Sequence, residues 1–290
     1  MRILHIDCGR EMRGGQWQVL RLLRGLRERG CESILLTSAP EGPLAKLAAA
    51  DGFPVERVNR RFPPADLVHA HDARGHTWAA LLARTPIVVA RRVAFPIKAG
   101  WLSRWKYGRA AHFIAVSGYV AGILRAAGVS SDKISVVYDG VPLLRESSRT
   151  GGVIAPASGD PEKGADLARA AWPEVEFSSN LERDLQTARI LLYLTRNEGL
   201  GSGALLGMSA GIAVIASRVG GLAEIIEDGV NGMLVENNAT AIAQCVLRLN
   251  SEPELAARFA AAARRTVEER FTVERMVEDT REVYRRILHV

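Results

Sequence analysis

The sequence predicts an α/β protein of two doubly wound domains, and three observations carry that expectation. Its 290 residues suffice for about two compact units, since domains cluster near ~100–150 residues. Short continuous apolar runs alternate with stretches of helical period, the pattern of parallel strands buried on both faces and joined by helices. Residues 143–152, rich in Arg, Ser and Gly and without periodicity, read as a linker between two such series.

The first series opens with a strand at residues 2–6, followed by a loop from Asp7 to Gly15. From Gln16 the period becomes helical, with Val19, Leu22, Leu23 and Leu26 on one face and Gly30 just past the end. Residues 33–37 form the next strand and 43–50 a short helix; the runs at 67–70, 87–90, 113–116 and 134–137 are further strands. Beyond the linker, strands fall at 152–156, 175–177, 190–194, 213–216 and 232–235. Helices are expected from about Gly164, near 181–188, at 202–210, near 222–226, and at 239–249, 253–270 and 272–288. In sheets of this kind ligands sit at the carboxyl ends of the strands, here in a cleft between the two domains.

Composition narrows the class. With 48% hydrophobic and 24% charged residues and a mean hydropathy of +0.02, the chain can bury a sizeable core, which excludes a disordered protein. Cys8, Cys31 and Cys245 are too scattered for a disulfide framework or a metal cluster and point to a reducing compartment. No apolar run approaches the ~20 residues that span a bilayer, and the start reads as a buried strand, not a signal peptide. The expected location is the cytoplasm. The net charge of +6 conceals an asymmetry: residues 1–145 carry 22 Lys and Arg against 11 Asp and Glu, a net +11, and the remainder carries 16 against 21, a net −5. A basic half of this kind faces a polyanion or an anionic surface, or carries solvated charge alone.

Three segments have residue types suited to chemistry. Arg13-Gly14-Gly15-Gln16 places two glycines before a helix, where backbone N–H groups can meet a phosphate; it is neither a Walker A sequence nor GxGxxG. At the end of a strand, His71 and Asp72 of Leu67-Val68-His69-Ala70-His71-Asp72 can act on a hydroxyl or orient a sugar, whereas His69 reads as a satisfied turn residue. His5 and His112 read as packing residues, and no carboxylate cluster has ligand spacing, so no metal is expected. In the second half, Glu198 precedes the glycine-rich turn Gly199-Leu200-Gly201-Ser202-Gly203, which puts an acceptor for sugar hydroxyls beside N–H donors for phosphate.

The run from Arg196 to Gly211, continued by Val214–Ser217 and Val219-Gly220-Gly221-Leu222-Ala223-Glu224, resembles the donor-site signature of retaining glycosyltransferase family 4 on the GT-B fold. The Gly14-Gly15 loop is similar to the family's phosphate loop, residues 67–72 to its HxH element, Ala115-Val116-Ser117 and residues 134–140 to its third block, and Glu162-Lys163-Gly164 to its Lys-Gly step. The resemblance implies an acceptor-side domain at 1–144, a donor domain at 152–270 and a helix at 271–290 that crosses back to the first domain. It implies a hexosyltransferase-type enzyme whose donor is a nucleotide diphosphate sugar, held by Gly14, Gly15, Lys163, Glu198, Gly199, Leu200, Gly201 and Ser202. Lys163 and the backbone amides would take up the charge developing on the diphosphate, with no metal or other cofactor, and Glu198 would hold sugar hydroxyls. His71, Asp72 and Arg92 fall to the acceptor side. The sequence departs from the pattern at Leu206, where the family has a second glutamate on the ribose; at Arg92, where many members have histidine; at residues 154–158, which lack the usual arginine; and in the short spacing from Lys163 to Glu198. Those departures keep a second reading open, a catalytically silent sugar-nucleotide-binding protein. An NAD-linked oxidoreductase would need a dinucleotide fingerprint, which is missing.

From Arg91 to Arg109 there are six cations and no acid, interleaved with Phe95, Trp101, Trp105 and Tyr107. Lys98, Trp101, Arg104, Trp105 and Lys106 suit the surface of an anionic membrane, and hence a lipid-linked or cell-envelope acceptor met at its inner face. The same spacing also suits tryptophans packed beneath the domain. Nucleic acid is not an expected partner, since no recognition fold accompanies the segment.

Overall fold

The computed structural model describes all 290 residues and divides them into two units, Met1–Tyr138 with Val273–Val290, and Asp139–Thr272. In the first unit, β1 (Arg2–Ile6), β2 (Glu32–Thr37), β3 (Val55–Arg57), β4 (Leu67–Ala70), β5 (Ile87–Arg91), β6 (His112–Ala115) and β7 (Ile134–Val136) form one sheet in the order β3-β2-β1-β4-β5-β6-β7. Every pairing is parallel, and β4 is buried throughout, His69 included. The crossovers carry α1 (Gly14–Glu28), α2 (Pro43–Ala50), α3 (Ala73–Leu82), α4 (Trp101–Gly108) and α5 (Gly118–Ala126).

The second unit contains β8 (Val153–Pro156), β9 (Glu176–Ser178), β10 (Ile190–Tyr193), β11 (Ala213–Ser217) and β12 (Met233–Val235), all parallel in the order β12-β11-β10-β8-β9. Its helices are α6 (Ala165–Ala171), α7 (Leu181–Asp184), α8 (Ser202–Ser209), α9 (Leu222–Ile225), α10 (Ala239–Ser251) and α11 (Pro253–Arg270). The last helix, α12 (Val273–Leu288), belongs to the first unit. Its Met276, Val277, Val283 and Tyr284 pack with Ile3, Leu22, Leu26 and Leu67 over the sheet. Gly25 on α1 allows this close approach: a Cβ there would stand 2.5 Å from Val277 Cγ2.

The segment read as a free linker is bound to the second unit, and this corrects the expected boundaries. Ser147 N–H donates to Ala210 O, Ser147 Oγ–H to Ala188 O, Ser148 N–H to Gln186 O and Gly151 N–H to Thr187 O. Arg149 reaches Gly211 O, and Arg264 reaches Leu144 O. An extended strap can satisfy its backbone in this way without any apolar period, so composition alone could not separate it from a linker.

Strand order reverses in each sheet beside its first strand, between β1 and β4 and between β8 and β10. The loops leaving those four strands carry Asp7, His71, Lys163 and Glu198. These are the positions where a doubly wound sheet opens a crevice for a ligand.

Candidate active site

In the second unit the carboxylate of Glu198 is the centre of a small polar cluster. Its Oε2 accepts from Lys163 Nζ at 2.9 Å and from Tyr193 Oη at 2.9 Å, and Oε1 accepts from Gly199 N–H at 3.1 Å. Burial, and then the negative charge of Glu198, push the Tyr193 phenol well above its ordinary range, so it remains a donor. Lys163 and Glu198, expected to grip separate parts of a donor, are thus paired with each other, with Lys163 38% and Glu198 15% exposed.

Glycine makes this geometry possible at two places. Gly164, directly after Lys163, has φ +61°, and a Cβ there would meet Leu194 O at 2.9 Å. The backbone of Gly220-Gly221 lies against the Glu198 loop: a Cβ on Gly221 would stand 2.1 Å from Gly199 O, and Gly221 N–H donates to Glu198 O. Gly221→Ala must therefore push the donor loop away, and about 1–3 kcal/mol of stability is expected to be lost together with donor affinity. A thermal melt with and without UDP-glucose checks both at once. Behind the loop, Thr195 N–H donates to Ser217 Oγ, Ser217 Oγ–H to Asn237 Oδ1 and Asn237 Nδ2–H to Thr195 O, which ties the ends of β10 and β11 together.

Gly201 is the N-cap of α8 with φ +109°, and Ser202 opens that helix, so the first N–H groups of α8 lie where an anion is stabilised. Leu200 is 2% exposed, a core residue that can offer a ligand only its backbone. A recess of about 460 Å³ that sequence reasoning missed is lined by Ala157, Ser158, Gly159, Ala165, Arg169 and Phe177. The Arg169 guanidinium lies 4.9 Å from the centre of the Phe177 ring. The available signal was Ser158-Gly159 directly after β8, at the point where the sheet order reverses.

In the first unit, His5 and His69 are register partners on β1 and β4, and His71 follows two residues later on the same face. The sequence reading of His5 and His69 as packing and turn residues is corrected here, because parallel pairing brings all three together. The rings of His5 and His71 are nearly coplanar, edge to edge with centres 5.2 Å apart, and the centre of the His69 ring is 4.0 Å from that of His71. His5 Nδ1 and His71 Nε2 are 2.9 Å apart, Arg92 Nη1 donates to His71 Nδ1 at 3.4 Å, and His69 Nδ1 meets Tyr284 Oη at 2.6 Å. Burial, first of all, lowers the His71 and His69 pKa values well below the ordinary range and takes that of His5 to about 3. Ligating nitrogens of the three rings fall within 4.8 Å of one another. Both nitrogens of His71 and one of each partner are engaged in these hydrogen bonds.

Asp72 also has a structural role: it is the N-cap of α3, where one oxygen accepts from Gly75 N–H and the other from Cys8 N–H at 2.9 Å, which ties the loop after β1 to the first turn of that helix. Asp7, at the end of β1, is the carboxylate the sequence left unnoticed. It accepts from Gly9 N–H and from Gln16 Nε2–H, and burial, followed by the charge of Asp72, raises its pKa. Gly14 and Gly15 form the first turn of α1, and a Cβ on Gly15 would come no nearer than 4.0 Å to Arg92 Cδ.

The α4 segment presents its aromatic face outward: Trp101 is 77% exposed, Leu102 59% and Trp105 43%, with Lys98 and Arg104 also exposed. Lys106, expected on the same surface, turns inward to Ala73 O and Thr77 Oγ1, because the end of α4 is docked on α3.

These elements define a two-unit GT-B architecture with a polar, glycine-bound site at the carboxyl edge of each sheet. Residues 12–145 match the family described as Glycosyltransferase Family 4, and residues 160–266 match Glycosyl transferases group 1. The chain belongs to these glycosyltransferases. An uncharacterized glycosyltransferase of Methanocaldococcus jannaschii is 25% identical over 237 residues, 66% of this chain and 67% of that protein. The N-acetyl-alpha-D-glucosaminyl L-malate synthase of Bacillus anthracis is 31% identical over 110 residues, 38% of this chain and 29% of that protein. Among solved structures, Anabaena HepE in complex with UDP and glucose superposes with a TM-score of 0.86 at 18% identity, covering 98% of this chain and 99% of that one. That likeness establishes the fold. No helix is long and apolar enough to cross a membrane.

Proposed function

We propose that this glycosyltransferase moves a sugar, with retention of configuration and without a metal, from a nucleotide diphosphate sugar to a lipid-linked or cell-envelope acceptor. The observation that carries the donor half is the Lys163–Glu198–Tyr193 cluster beside the N-terminus of α8. An incoming diphosphate competes for Lys163 and frees Glu198 Oε2 for a sugar hydroxyl, so donor binding rearranges a pair that is already in place. Lys163 and the backbone amides of residues 201–203 then offset the charge that grows on the leaving group. The 460 Å³ recess, with an aromatic ring and a guanidinium in its wall, suits the base. HepE, of the same fold, has been seen with UDP-glucose, which makes that donor the first to test. In the first unit, Arg92 and His71 serve the acceptor.

The test is the stereochemistry of the product formed from UDP-glucose and from other nucleotide sugars, followed by NMR with membrane extracts as acceptor source. Retention in the wild type and loss of turnover in Glu198→Ala support the reading. Donor binding without turnover on any acceptor would favour the silent binder, the reading that Leu206 in place of a second glutamate keeps in play.

The acceptor half rests on α4. Its exposed tryptophans and cations fit an anionic bilayer, with each Lys or Arg worth about 1 kcal/mol near such a surface. The protein would then work peripherally on the cytoplasmic face. Co-sedimentation with phosphatidylglycerol vesicles is expected at low salt and is expected to fail in Trp101→Ser/Trp105→Ser. Equal recovery with neutral phosphatidylcholine vesicles would contradict it.

A further inference from the structure

The hydrogen bonds of the buried histidine cluster fix where each proton lies. A guanidinium only donates, so His71 Nδ1, 3.4 Å from Arg92 Nη1, is the accepting nitrogen. A neutral His71 then carries its proton on Nε2 and donates it to His5 Nδ1, 2.9 Å away. His5 in turn carries its own proton on Nε2, fully buried and without a protein partner. Folds rarely keep a buried donor unpaired, and an apolar residue in place of His5 would only move the unpaired donor to His71 Nε2, whose acceptor is His5 Nδ1. The third ring, His69, is held by Tyr284 of α12 at 2.6 Å, and its centre lies 4.0 Å from that of His71 and 5.9 Å from that of His5.

We propose that His5 is a positioning residue for Arg92: acting through His71, it fixes the tautomer that turns an accepting nitrogen toward the guanidinium, while Tyr284 on the C-terminal helix steadies the cluster through His69. Arg92 lies beside Gly15 in the first turn of α1, so its direction sets where positive charge meets a ligand at that edge of the sheet. The consequence for transfer rests on the acceptor-side reading of Arg92; the tautomers themselves do not.

The experiment is a two-bond proton–nitrogen correlation spectrum of the full chain labelled with 15N-histidine, at pH 7.5. His5 and His71 are both expected as neutral rings protonated on Nε2. In Arg92→Met the Nε2-protonated form of His71 should fall at least threefold relative to the Nδ1-protonated form. His5→Leu removes the acceptor and should shift the same ratio and the Arg92 side-chain resonance, whereas His5→Gln, whose carbonyl still accepts, should restore both. A wild-type His71 protonated on Nδ1, or a ratio that ignores both Arg92→Met and His5→Leu, overturns the proposal. If His5→Leu does not fold, the wild type, Arg92→Met and His5→Gln decide it. None of these readouts depends on turnover, so they separate this inference from the fate of the glycosyltransferase assay.

Discussion

Replacing Lys163 by methionine is expected to lower turnover of a nucleotide diphosphate sugar by about 10²–10³-fold while leaving the fold intact. The rate loss follows from removing a fixed positive charge aimed at a leaving group whose negative charge grows in the transition state, the situation in which one donor is worth ~3–4 kcal/mol. The fold survives because Lys163 is 38% exposed and Glu198, 15% exposed, is not left bare when the ammonium is gone. Tyr193 Oη–H and Gly199 N–H continue to satisfy Glu198 once the ammonium is gone. Initial rates of UDP release and a thermal melt of the same preparation check both halves. Unchanged turnover would remove Lys163 from the chemistry, and a collapsed melt would make the pair structural.

Acid is expected to unfold the first unit well before the second. All six histidines lie in the first unit, and burial lowers the pKa of His5 to about 3, of His76 and His112 to about 4, and of His69 and His71 well below the ordinary 6.5. The sign is that of a base held neutral by the fold. Above pH 6.5 these rings are neutral in both folded and unfolded chains and stability is full. Below 6.5 the unfolded chain gains protons that the folded unit refuses, so stability falls until each folded pKa is reached. Each ring contributes up to about 1.4 kcal/mol per pH unit over the range in which only the unfolded chain is protonated, and all five act in the same direction. Asp7 acts in the opposite direction, since its raised pKa lets it take up a proton early in the descent. Hydrogen exchange between pH 7.5 and 4.5 should show protection lost in β1, β4 and α12 first and retained in β10 and β11. Protection lost evenly across both units would contradict it.

The two-sheet architecture was legible because its signal is local. Residues 87–90 and Ile190–Tyr193 are apolar runs that doubly covered parallel strands need, and Glu198 with its following glycines is a contiguous motif. What escaped depends on register or on direction. The histidine cluster exists because β1 pairs with β4 so that His5 faces His69, and no spacing along the chain shows that. The backbone donors of Asp72, Cys8 N–H and Gly75 N–H, come from 64 residues before it and from the helix that follows, and only the second is local enough to read. Lys106 shares a helix with Trp105 but points to the other side, toward α3. β3 has three residues on a sheet edge and no apolar run to announce it. Residues 143–152 looked like a linker because a strap bonded through its backbone needs no hydrophobic pattern.

The central claim is that the second unit binds a nucleotide diphosphate sugar through Lys163 and Glu198 without a metal. Isothermal titration of UDP-glucose and related donors into the full chain, with EDTA present throughout, tests it most directly. The account predicts a saturable one-to-one isotherm for at least one donor, weakened at least tenfold in Lys163→Met and in Glu198→Ala. Binding that disappears with EDTA, or an affinity indifferent to both substitutions, would contradict it.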